Sequence, residues 1–257
     1  MDTAKGAYTS DHYLGEKGRR YAEACGGPID IGCRLQAEFF QPFITSDDVV
    51  LDFGCGKGGI ASLIECKRID GFDINPHQLK YARQYCFATF SNYNEPAKDF
   101  YDVVISNHAL EHAPSPLLSL GKVREWLKPV GRAVFVVPHD CVQDRHQRRF
   151  DPADHDHHLY TWTARSLANL FSEAGFEIEL CKVLRSAWHP RLFRIHQIPF
   201  IGPLSRWLVY YTLKRPQILC VSRKPYRDFG CAMTSGKKVS DESTAPGSGT
   251  EPRNDQG

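Results

Sequence analysis

Short apolar runs alternate along residues 47–183 with segments whose apolar positions recur at helical spacing. The apolar runs, with one more near the end of the core, predict strands at Val49–Phe53, Ile69–Asp73, Asp102–Asn107, Arg132–Pro138, Ile178–Leu184 and Ile218–Ser222. Helices are predicted between them at Gly59–Cys66, Pro76–Tyr85, Pro116–Leu127 and Thr163–Ala174. Gly175 suits the left-handed residue that ends a helix. This order predicts an α/β fold with a doubly wound, mostly parallel sheet and helices on both faces.

Three further sections flank or interrupt this core. Residues 1–46 are predicted to be a helical leader that caps the domain, because apolar residues recur there at helical spacing, at Leu35, Phe39, Phe40 and Phe43. Residues 47–227 are expected to form the main domain, and 184–216 within it a hydrophobic insertion or lid. Residues 228–257 are dominated by Ser, Gly, Thr, Pro and charged residues, which predicts a disordered tail.

The composition limits the classes of protein that need considering. Of the 257 residues, 42% are hydrophobic and 24% charged, which suits one α/β domain with extensions. A net charge of +2 gives no strong attraction to nucleic acid, and no nucleic-acid partner is expected. Nine cysteines without a C-x-x-C pair fit reduced thiols. Since no secretory signal and no run of about 18 apolar residues is present, we expect a soluble, cytoplasmic protein.

A glycine-rich turn, Gly54-Cys55-Gly56-Lys57-Gly58-Gly59, directly follows the first predicted strand. Glycines at this position let a ligand approach the backbone at the carboxyl edge of a parallel sheet. The spacing Gly-x-Gly-x-x-Gly also fits the dinucleotide fingerprint, so an NAD-dependent Rossmann enzyme is an alternative. A phosphate-binding P-loop is excluded because glycine, and not Ser or Thr, follows Lys57.

Two carboxylates bear on the choice of ligand. Asp52 lies two residues before the first glycine, where it would repel a pyrophosphate and attract the ammonium group of a methionine moiety. Asp73 ends the second predicted strand, where a carboxylate can bind both ribose hydroxyls. Asp73 can instead cap the following helix, although Asn75 is also suited to that position. Asp52 therefore favours S-adenosylmethionine, whereas Asp73 indicates a nucleoside of either kind.

From Val49 to Ser222 the chain resembles the class I S-adenosylmethionine-dependent methyltransferases, in particular those that act on small molecules. The resemblance is carried by six motifs in the order of that family, Leu51-Asp52-Phe53-Gly54-Cys55-Gly56-Lys57-Gly58, Gly71-Phe72-Asp73, Tyr101-Asp102-Val103-Val104-Ile105-Ser106-Asn107, Ala109-Leu110-Glu111-His112, Leu127-Lys128-Pro129-Val130-Gly131-Arg132 and Glu173-Ala174-Gly175-Phe176. It implies a seven-stranded sheet with an antiparallel last strand, and S-adenosylmethionine as the cofactor.

The same resemblance implies which residues bind the cofactor. Asp52, Gly54, Cys55 and Gly56 would lie along the methionine part, and Asp73 would bind the ribose. Ile74 and Asn92 would contact the adenine. Asn107 would lie beneath the donor, and the aromatic ring of Tyr13 would close over it. Asn92 stands where the family usually has an acid that binds the adenine amino group. His108, next to Asn107, would also lie beneath the donor.

A histidine-rich stretch from Val137 to Trp162 follows the fifth predicted strand and would lie at the ligand-binding edge of the sheet. Its histidines can act as a general base, bind a metal, or only bond to backbone groups. No metal site is expected, because no helical i, i+4 pair or cysteine partner sets a ligand geometry. The segment His158-Leu159-Tyr160-x-Trp162 resembles an element of bacterial members that act on sugars and other small molecules. The candidate bases are His158 and His139 first, then His112 and His108.

The insertion between the last two predicted strands is rich in aromatic and apolar residues with interleaved arginines, over Trp188–Lys214. It is either a lid that packs on the core or an interfacial element that contacts a membrane or a lipid-linked acceptor. The predicted function is methyl transfer to a small molecule, with a hydroxyl of a sugar or similar metabolite as acceptor. The alternatives are the NAD-dependent enzyme and a methyltransferase-like binding module without catalysis.

Overall fold

The computed structural model describes residues 10–25, 31–139, 157–185, 190–213 and 216–226. Seven strands form one sheet: β1 Val49–Phe53, β2 Arg68–Phe72, β3 Thr89–Phe90, β4 Tyr101–Asn107, β5 Leu127–Pro138, β6 Glu177–Leu184 and β7 Gln217–Arg223. Their order across the sheet is β3-β2-β1-β4-β5-β7-β6. The pairs among β1 to β5 are parallel, and β7 runs antiparallel to both β5 and β6. The predicted fold class is confirmed.

The helices of the described residues are α1 Gly15–Ala24, α2 Ile31–Phe40, α3 Pro76–Ala82, α4 Pro116–Trp126, α5 Ala164–Glu173, α6 Phe193–His196 and α7 Ile201–Leu213. Short 3₁₀ turns occur at Asp11–Tyr13, Gln41–Phe43, Ala61–Leu63, Leu110–His112 and Pro190–Leu192. Within the described residues, no helix is long and apolar enough to cross a membrane. The predicted tail, 228–257, lies outside the described residues.

Local sequence signals explain where several helices begin and end. The Asn75 side chain accepts a hydrogen bond from the His77 amide at the start of α3, and Pro76 occupies the first helical position. Thr163 and Ser166 bond each other reciprocally at the start of α5. Gly175 follows α5 with φ +85°, which confirms the predicted left-handed stop.

Each face of the sheet is covered by its own hydrophobic layer. On one face Phe135 packs with residues of α4 and α5, among them Leu120 and Phe171. On the other face Val134 packs with residues of α2 and α3, among them Phe40 and Leu79. Because side chains alternate along β5, neighbouring residues of one strand support opposite layers. The helices therefore lie on both faces, as predicted.

The predicted helix Gly59–Cys66 is wrong. Only Ala61–Leu63 forms a 3₁₀ turn there, and the chain is extended again by Ile64. Gly58 has φ +81°, and glycine in a helix costs about 1 kcal/mol relative to alanine, so the segment has little intrinsic preference for a helix. The buried side chains of Ile60 and Ile64 hold it against the second layer instead.

Two other differences concern strands. β3 has two residues and no apolar pattern long enough to predict it. β5 begins at Leu127, five residues before the predicted start, because Leu127 pairs with Tyr101 of β4. Leu127 therefore starts a strand, whereas the sequence predicted it as the end of a helix.

The sheet order creates a crevice beside β1. The connection from β1 leads to β2 on one side, and the chain later returns to β4 on the other side. The carboxyl ends of β1 and β4 thus meet at the point where the strand order reverses, which is where ligands bind in open α/β sheets.

Candidate functional site

A cavity of about 220 Å³ opens at this crevice. Its wall contains the turn after β1, the residues after β2 and the residues after β4, and aromatic residues of the leader also line it. The predicted residues that line it are Tyr13, Gly54, Gly56, Asp73, Ile74, Asn107, His108 and His112.

The turn after β1 presents backbone to the cavity. The amides of Gly54 and Cys55 both donate to the Phe72 carbonyl, at 2.7 and 3.0 Å, which bends the chain sharply at the end of the strand. Gly54 has φ +76°, and a Cβ placed on it would overlap the Ala109 side chain. Glycine is therefore required here by both conformation and space.

Cys55 shapes the turn through its backbone amide but does not line the cavity. Its thiol packs behind the turn, close to Gly71 and Cys86. The neighbouring Cys86 thiol and burial raise the pKa of the Cys55 thiol, so it stays protonated. The side chain of Cys55 is not part of the cavity wall.

Asp73 lines the cavity directly after β2. One carboxylate oxygen accepts from the Gly56 amide and the other from the Asn75 amide, each at 2.8 Å. Burial raises the pKa of Asp73 to about 6, and these two hydrogen bonds oppose the shift. The carboxylate is thereby held rigidly, with its remaining lone pairs available to a ligand hydroxyl.

Asp52 is only 2% exposed and lies behind the turn, outside the immediate cavity wall. Burial, and then the negative charge of Asp73, raise the pKa of Asp52 to about 7. Two carboxylates with raised pKa values would be stabilised in their ionised forms by a cationic ligand. A pyrophosphate would increase the repulsion instead.

In the segment where the sequence predicted an adenine contact, the structure brings Tyr93 rather than Asn92 to the cavity. Asn92 is exposed, and its side-chain oxygen accepts from the Asn94 amide at 3.0 Å. Tyr93 packs edge-on against Phe72, with the ring centroids 4.7 Å apart, and Ile74 also lines the cavity. The residue that the sequence missed is thus the immediate neighbour of the predicted one.

The leader covers the cavity through α1 and the turn before it. The Asn75 side-chain amide donates to the Gly18 carbonyl of α1 at 2.9 Å, which ties α1 to the start of α3. Tyr13 is buried, and its hydroxyl lies 2.8 Å from Nδ1 of His112. Tyr21, which the sequence analysis did not single out, lines the cavity beside Tyr13.

A cluster of histidines surrounds Glu111 next to the cavity, and two of them, His108 and His112, line its wall. Nδ1 of His108 lies 3.3 Å from a carboxylate oxygen of Glu111, which is completely buried. Burial by itself would raise the pKa of Glu111, but His108 and His112 hold it below its ordinary value. Burial lowers the pKa of His112. The rings of His112 and His158 are 4.7 Å apart.

His158 approaches this cluster because its segment is tied to the turn after β4. The amides of Leu159 and Tyr160 donate to the Glu111 main-chain carbonyl at 2.9 and 3.2 Å. His139 lies elsewhere, in a bridge to Trp162, and it does not line the cavity. The part of the histidine-rich stretch between them, 140–156, lies outside the described residues.

Glu111 is the residue of this cluster for which no role was predicted from the sequence, although it lies in the motif Ala109-Leu110-Glu111-His112. The available signal in the sequence was a charged residue between Leu110 and His112. The structure shows that these residues form one 3₁₀ turn. The environment of Glu111 is made by His108 and by the distant segment of Leu159 and Tyr160, whose amides bond its main-chain carbonyl, and no local pattern reveals these contacts.

Comparisons with known proteins agree with this geometry. A family model described as a methyltransferase domain matches residues 29–180, more than half of the chain. Ubiquinone biosynthesis O-methyltransferases from Aliivibrio fischeri and Yersinia enterocolitica are 32% and 30% identical over 98 and 101 residues. These matches cover 34% and 35% of this chain, and 42% of each relative. The match therefore spans less than half the length of these curated relatives.

Solved structures share the fold at low identity. Phosphoethanolamine N-methyltransferase 2 of Haemonchus contortus, in complex with S-adenosyl-L-methionine, superposes with a TM-score of 0.55 at 15% identity over 84% of this chain and 59% of its own. Geranyl diphosphate C-methyltransferase of Streptomyces coelicolor gives 0.54 at 14% identity over 74% and 75%. The fold, the glycine turn and the family match lead to one assignment. This chain belongs to the methyltransferase domain family, as a class I S-adenosylmethionine-dependent methyltransferase.

Proposed function

We propose that this chain transfers the methyl group of S-adenosylmethionine to a hydroxyl oxygen of a small molecule. The observation that carries the proposal is the contact of His108 with the buried Glu111 at one end of the cavity. The curated relatives are named as O-methyltransferases, which favours a hydroxyl acceptor. Nothing in their names supports the sugar acceptor that the sequence analysis predicted.

The donor is proposed to lie along the floor of the cavity. Its methionine part would pass Gly54 and Gly56, with its ammonium group attracted by Asp52. Both ribose hydroxyls would donate to Asp73, which is held by two backbone amides. The adenine would lie between Ile74 and Tyr93. This arrangement would bring the sulfonium methyl to the end of the cavity where Asn107 and His108 lie.

Methyl transfer then needs alignment and a place for one proton. The acceptor oxygen attacks the methyl carbon, and the carbon–sulfur bond breaks with its electron pair remaining on sulfur, which yields neutral S-adenosylhomocysteine. The hydroxyl proton leaves as the new bond forms and is accepted by a histidine. Enclosure by Tyr13 and Tyr21 would exclude water and favour an in-line geometry.

We propose His108 as that base, with Glu111 as the residue that positions it. His108 lines the cavity, and its Nδ1 faces Glu111, so its Nε2 is the nitrogen available to an acceptor. His108 also has φ +52°, a left-handed conformation that is costly for a non-glycine residue and is often found at functional sites. Of the other three candidates, His158 and His139 do not line the cavity. His112 does, but its Nδ1 is bonded to the Tyr13 hydroxyl.

The test is transfer of isotopically labelled methyl from S-adenosylmethionine to three sets of acceptors, namely phenols and catechols, sugars, and primary amines. We expect label in a hydroxyl compound, and His108→Gln should lower kcat at least tenfold while the affinity for S-adenosylhomocysteine stays within twofold. Label only in the amines would overturn the hydroxyl assignment. An unchanged kcat in His108→Gln would remove His108 as the base.

We further propose that the insertion docks on an anionic lipid surface from which an apolar acceptor enters. Apolar side chains on and before α7 recur at helical spacing and are 45–93% exposed, at Phe200, Ile201, Leu204, Trp207, Leu208 and Tyr211. Arg191 and Arg194 are exposed on the preceding turn and α6. An apolar face with flanking basic residues is typical of interfacial helices.

Vesicle sedimentation tests this docking. Vesicles of phosphatidylglycerol and phosphatidylcholine should bind the protein more tightly than vesicles of phosphatidylcholine alone. Leu204→Asp with Leu208→Asp should abolish binding, whereas the matched change Leu117→Asp with Leu118→Asp on α4, also exposed, should not. Equal binding by both variants would overturn the proposal, as would a stable dimer that loses association only in the α7 variant.

A further inference from the structure

We propose that Glu111, His112 and His158 form a binding site for one divalent transition-metal ion at the acceptor end of the cavity. Each residue offers one ligand atom, and these atoms lie within 4.8 Å of one another. The proposal deepens the proposed function and depends on it only for the catalytic role of the ion, because binding itself requires no acceptor.

The buried and unsatisfied carboxylate of Glu111 independently indicates a bound ligand. Its side chain is completely buried, and neither carboxylate oxygen makes a hydrogen bond of good geometry to a described residue. The contact with His108, at 3.3 Å, reaches only one oxygen. A buried carboxylate with an unsatisfied oxygen is costly, and a cation would remove that cost.

The hydrogen bonds of His112 leave one ring nitrogen suited to a metal. Its Nδ1 lies 3.4 Å from the His157 carbonyl, which can only accept, so the proton is assigned to Nδ1. The same nitrogen lies 2.8 Å from the Tyr13 hydroxyl, which can accept as well. With the proton assigned to Nδ1, the lone pair is on Nε2. A histidine that ligates a metal with one nitrogen commonly donates from the other in this way.

Backbone hydrogen bonds of the neighbouring residues hold His158 close to Glu111. Leu159 and Tyr160 bond the Glu111 carbonyl, which anchors the segment next to the carboxylate. The rings of His112 and His158 are tilted at 56° with centroids 4.7 Å apart, so they are not stacked face to face. Small rotations of the two rings would bring their nitrogens to ligand distance of a common ion.

The donor set indicates the kind of ion. Two imidazoles and one carboxylate suit Zn²⁺, Co²⁺ or Fe²⁺, whereas Mg²⁺ and Ca²⁺ prefer sites made of oxygen ligands. Three protein ligands leave at least one position open, as in catalytic zinc sites. An acceptor hydroxyl bound there would have a lowered pKa, and its proton would pass to His108 as the oxygen–methyl bond forms and the methyl–sulfur bond breaks.

Cobalt binding to the untagged, metal-stripped full chain tests the site. Co²⁺ should bind with one equivalent per chain and give a visible spectrum without a thiolate-to-cobalt charge-transfer band, which distinguishes this site from the nine cysteines. Glu111→Gln and His158→Ala should each weaken Co²⁺ binding at least tenfold. His77→Ala, a histidine at the start of α3 and outside the cluster, should not change it.

Titration with S-adenosylhomocysteine on the same samples separates folding and donor binding from metal binding. If His158→Ala keeps its affinity for S-adenosylhomocysteine and loses cobalt, the site is supported. The site is overturned, and the proposed function stands, if the parent protein binds S-adenosylhomocysteine but no cobalt, or binds cobalt through thiolates. The same conclusion follows if the cobalt affinity is unchanged in both Glu111→Gln and His158→Ala. Tight cobalt binding with no affinity for S-adenosylhomocysteine would instead overturn the proposed function.

Discussion

The hydroxyl of Tyr13 lies 2.8 Å from Nδ1 of His112, which joins the segment before α1 to the turn after β4. The two residues are 99 positions apart in the chain, and both line the cavity. The leader is thereby coupled to the same turn that carries Glu111 and His108. If the donor binds as proposed, the contact between Tyr13 and His112 would both enclose it and orient the histidine cluster.

Tyr13→Phe tests this coupling, because it removes the hydroxyl and keeps the ring. A net hydrogen bond contributes about 1 kcal/mol, so the affinity for S-adenosylhomocysteine should fall roughly fivefold. Hydrogen exchange should become faster in residues 11–24, because the leader is held less firmly. Calorimetry and exchange mass spectrometry measure the two effects. Unchanged exchange in this segment would contradict the role of Tyr13 in closure.

Asp73→Ala should weaken donor binding severely. The substitution removes the proposed acceptor of both ribose hydroxyls and also the bonds from Gly56 and Asn75 that shape the turn. At about 1.5–3 kcal/mol for each bond to a charged group, the loss in affinity should exceed a hundredfold. Asp99→Ala, which removes an exposed partner of Lys224, is the matched control and should bind normally. Comparable affinities in the two variants would refute the ribose assignment.

Donor binding and stability should respond to pH in opposite directions. The folded pKa values of Asp52 and Asp73, about 7 and about 6, lie above the ordinary value of 3.8. Their protonation in the free protein therefore adds stability as pH falls from about 8 towards 5, and this stability is lost as pH rises through 6 and 7. Affinity for the cationic donor should instead decrease over the same fall in pH, because the ionised carboxylates attract it.

Thermal unfolding and calorimetric titration with S-adenosylmethionine between pH 5 and 8 measure these two trends. Asp52→Asn should remove the step in donor affinity near pH 7. An affinity that rises as pH falls, or the same pH profile in Asp52→Asn, would contradict the proposed contact with the ammonium group.

Gly54→Ala should abolish donor binding, since the added Cβ would overlap Ala109 and the residue has φ +76°. Gly121→Ala is the matched control. Gly121 lies within α4, where an added Cβ would meet no atom within 4 Å, and the change should stabilise the protein by about 0.5–1 kcal/mol. Thermal unfolding with and without S-adenosylhomocysteine measures the donor binding of Gly54→Ala and the stability of Gly121→Ala. Normal donor binding by Gly54→Ala would show that the turn does not approach the ligand as closely as we propose.

The sequence predicted the elements whose residues carry their own periodic signal. β1 begins and ends at the predicted residues, since all five are partly or completely buried between parallel neighbours. The helix predicted from Gly59 failed because tertiary burial of Ile60 and Ile64 outweighed a weak helical preference. β3 could not be predicted from two residues, because it exists only through pairing with β2.

The candidate site was predictable where one strand end determines a position. Asp73 and the residues of the glycine turn follow directly from the order of β1 and β2, and the structure brings them together. Asn92 was predicted one residue away from Tyr93, since an irregular segment has no period that fixes which side chain faces inward. The grouping of His112 with His158 depends on backbone bonds between distant segments, and spacing alone cannot reveal it.

We expect the cavity to bind the methyl donor and not a dinucleotide. Isothermal titration of one preparation with S-adenosylhomocysteine and with NAD⁺ distinguishes the two ligands. We predict a single site for S-adenosylhomocysteine and no binding of NAD⁺. Binding of NAD⁺ without binding of S-adenosylhomocysteine would contradict it.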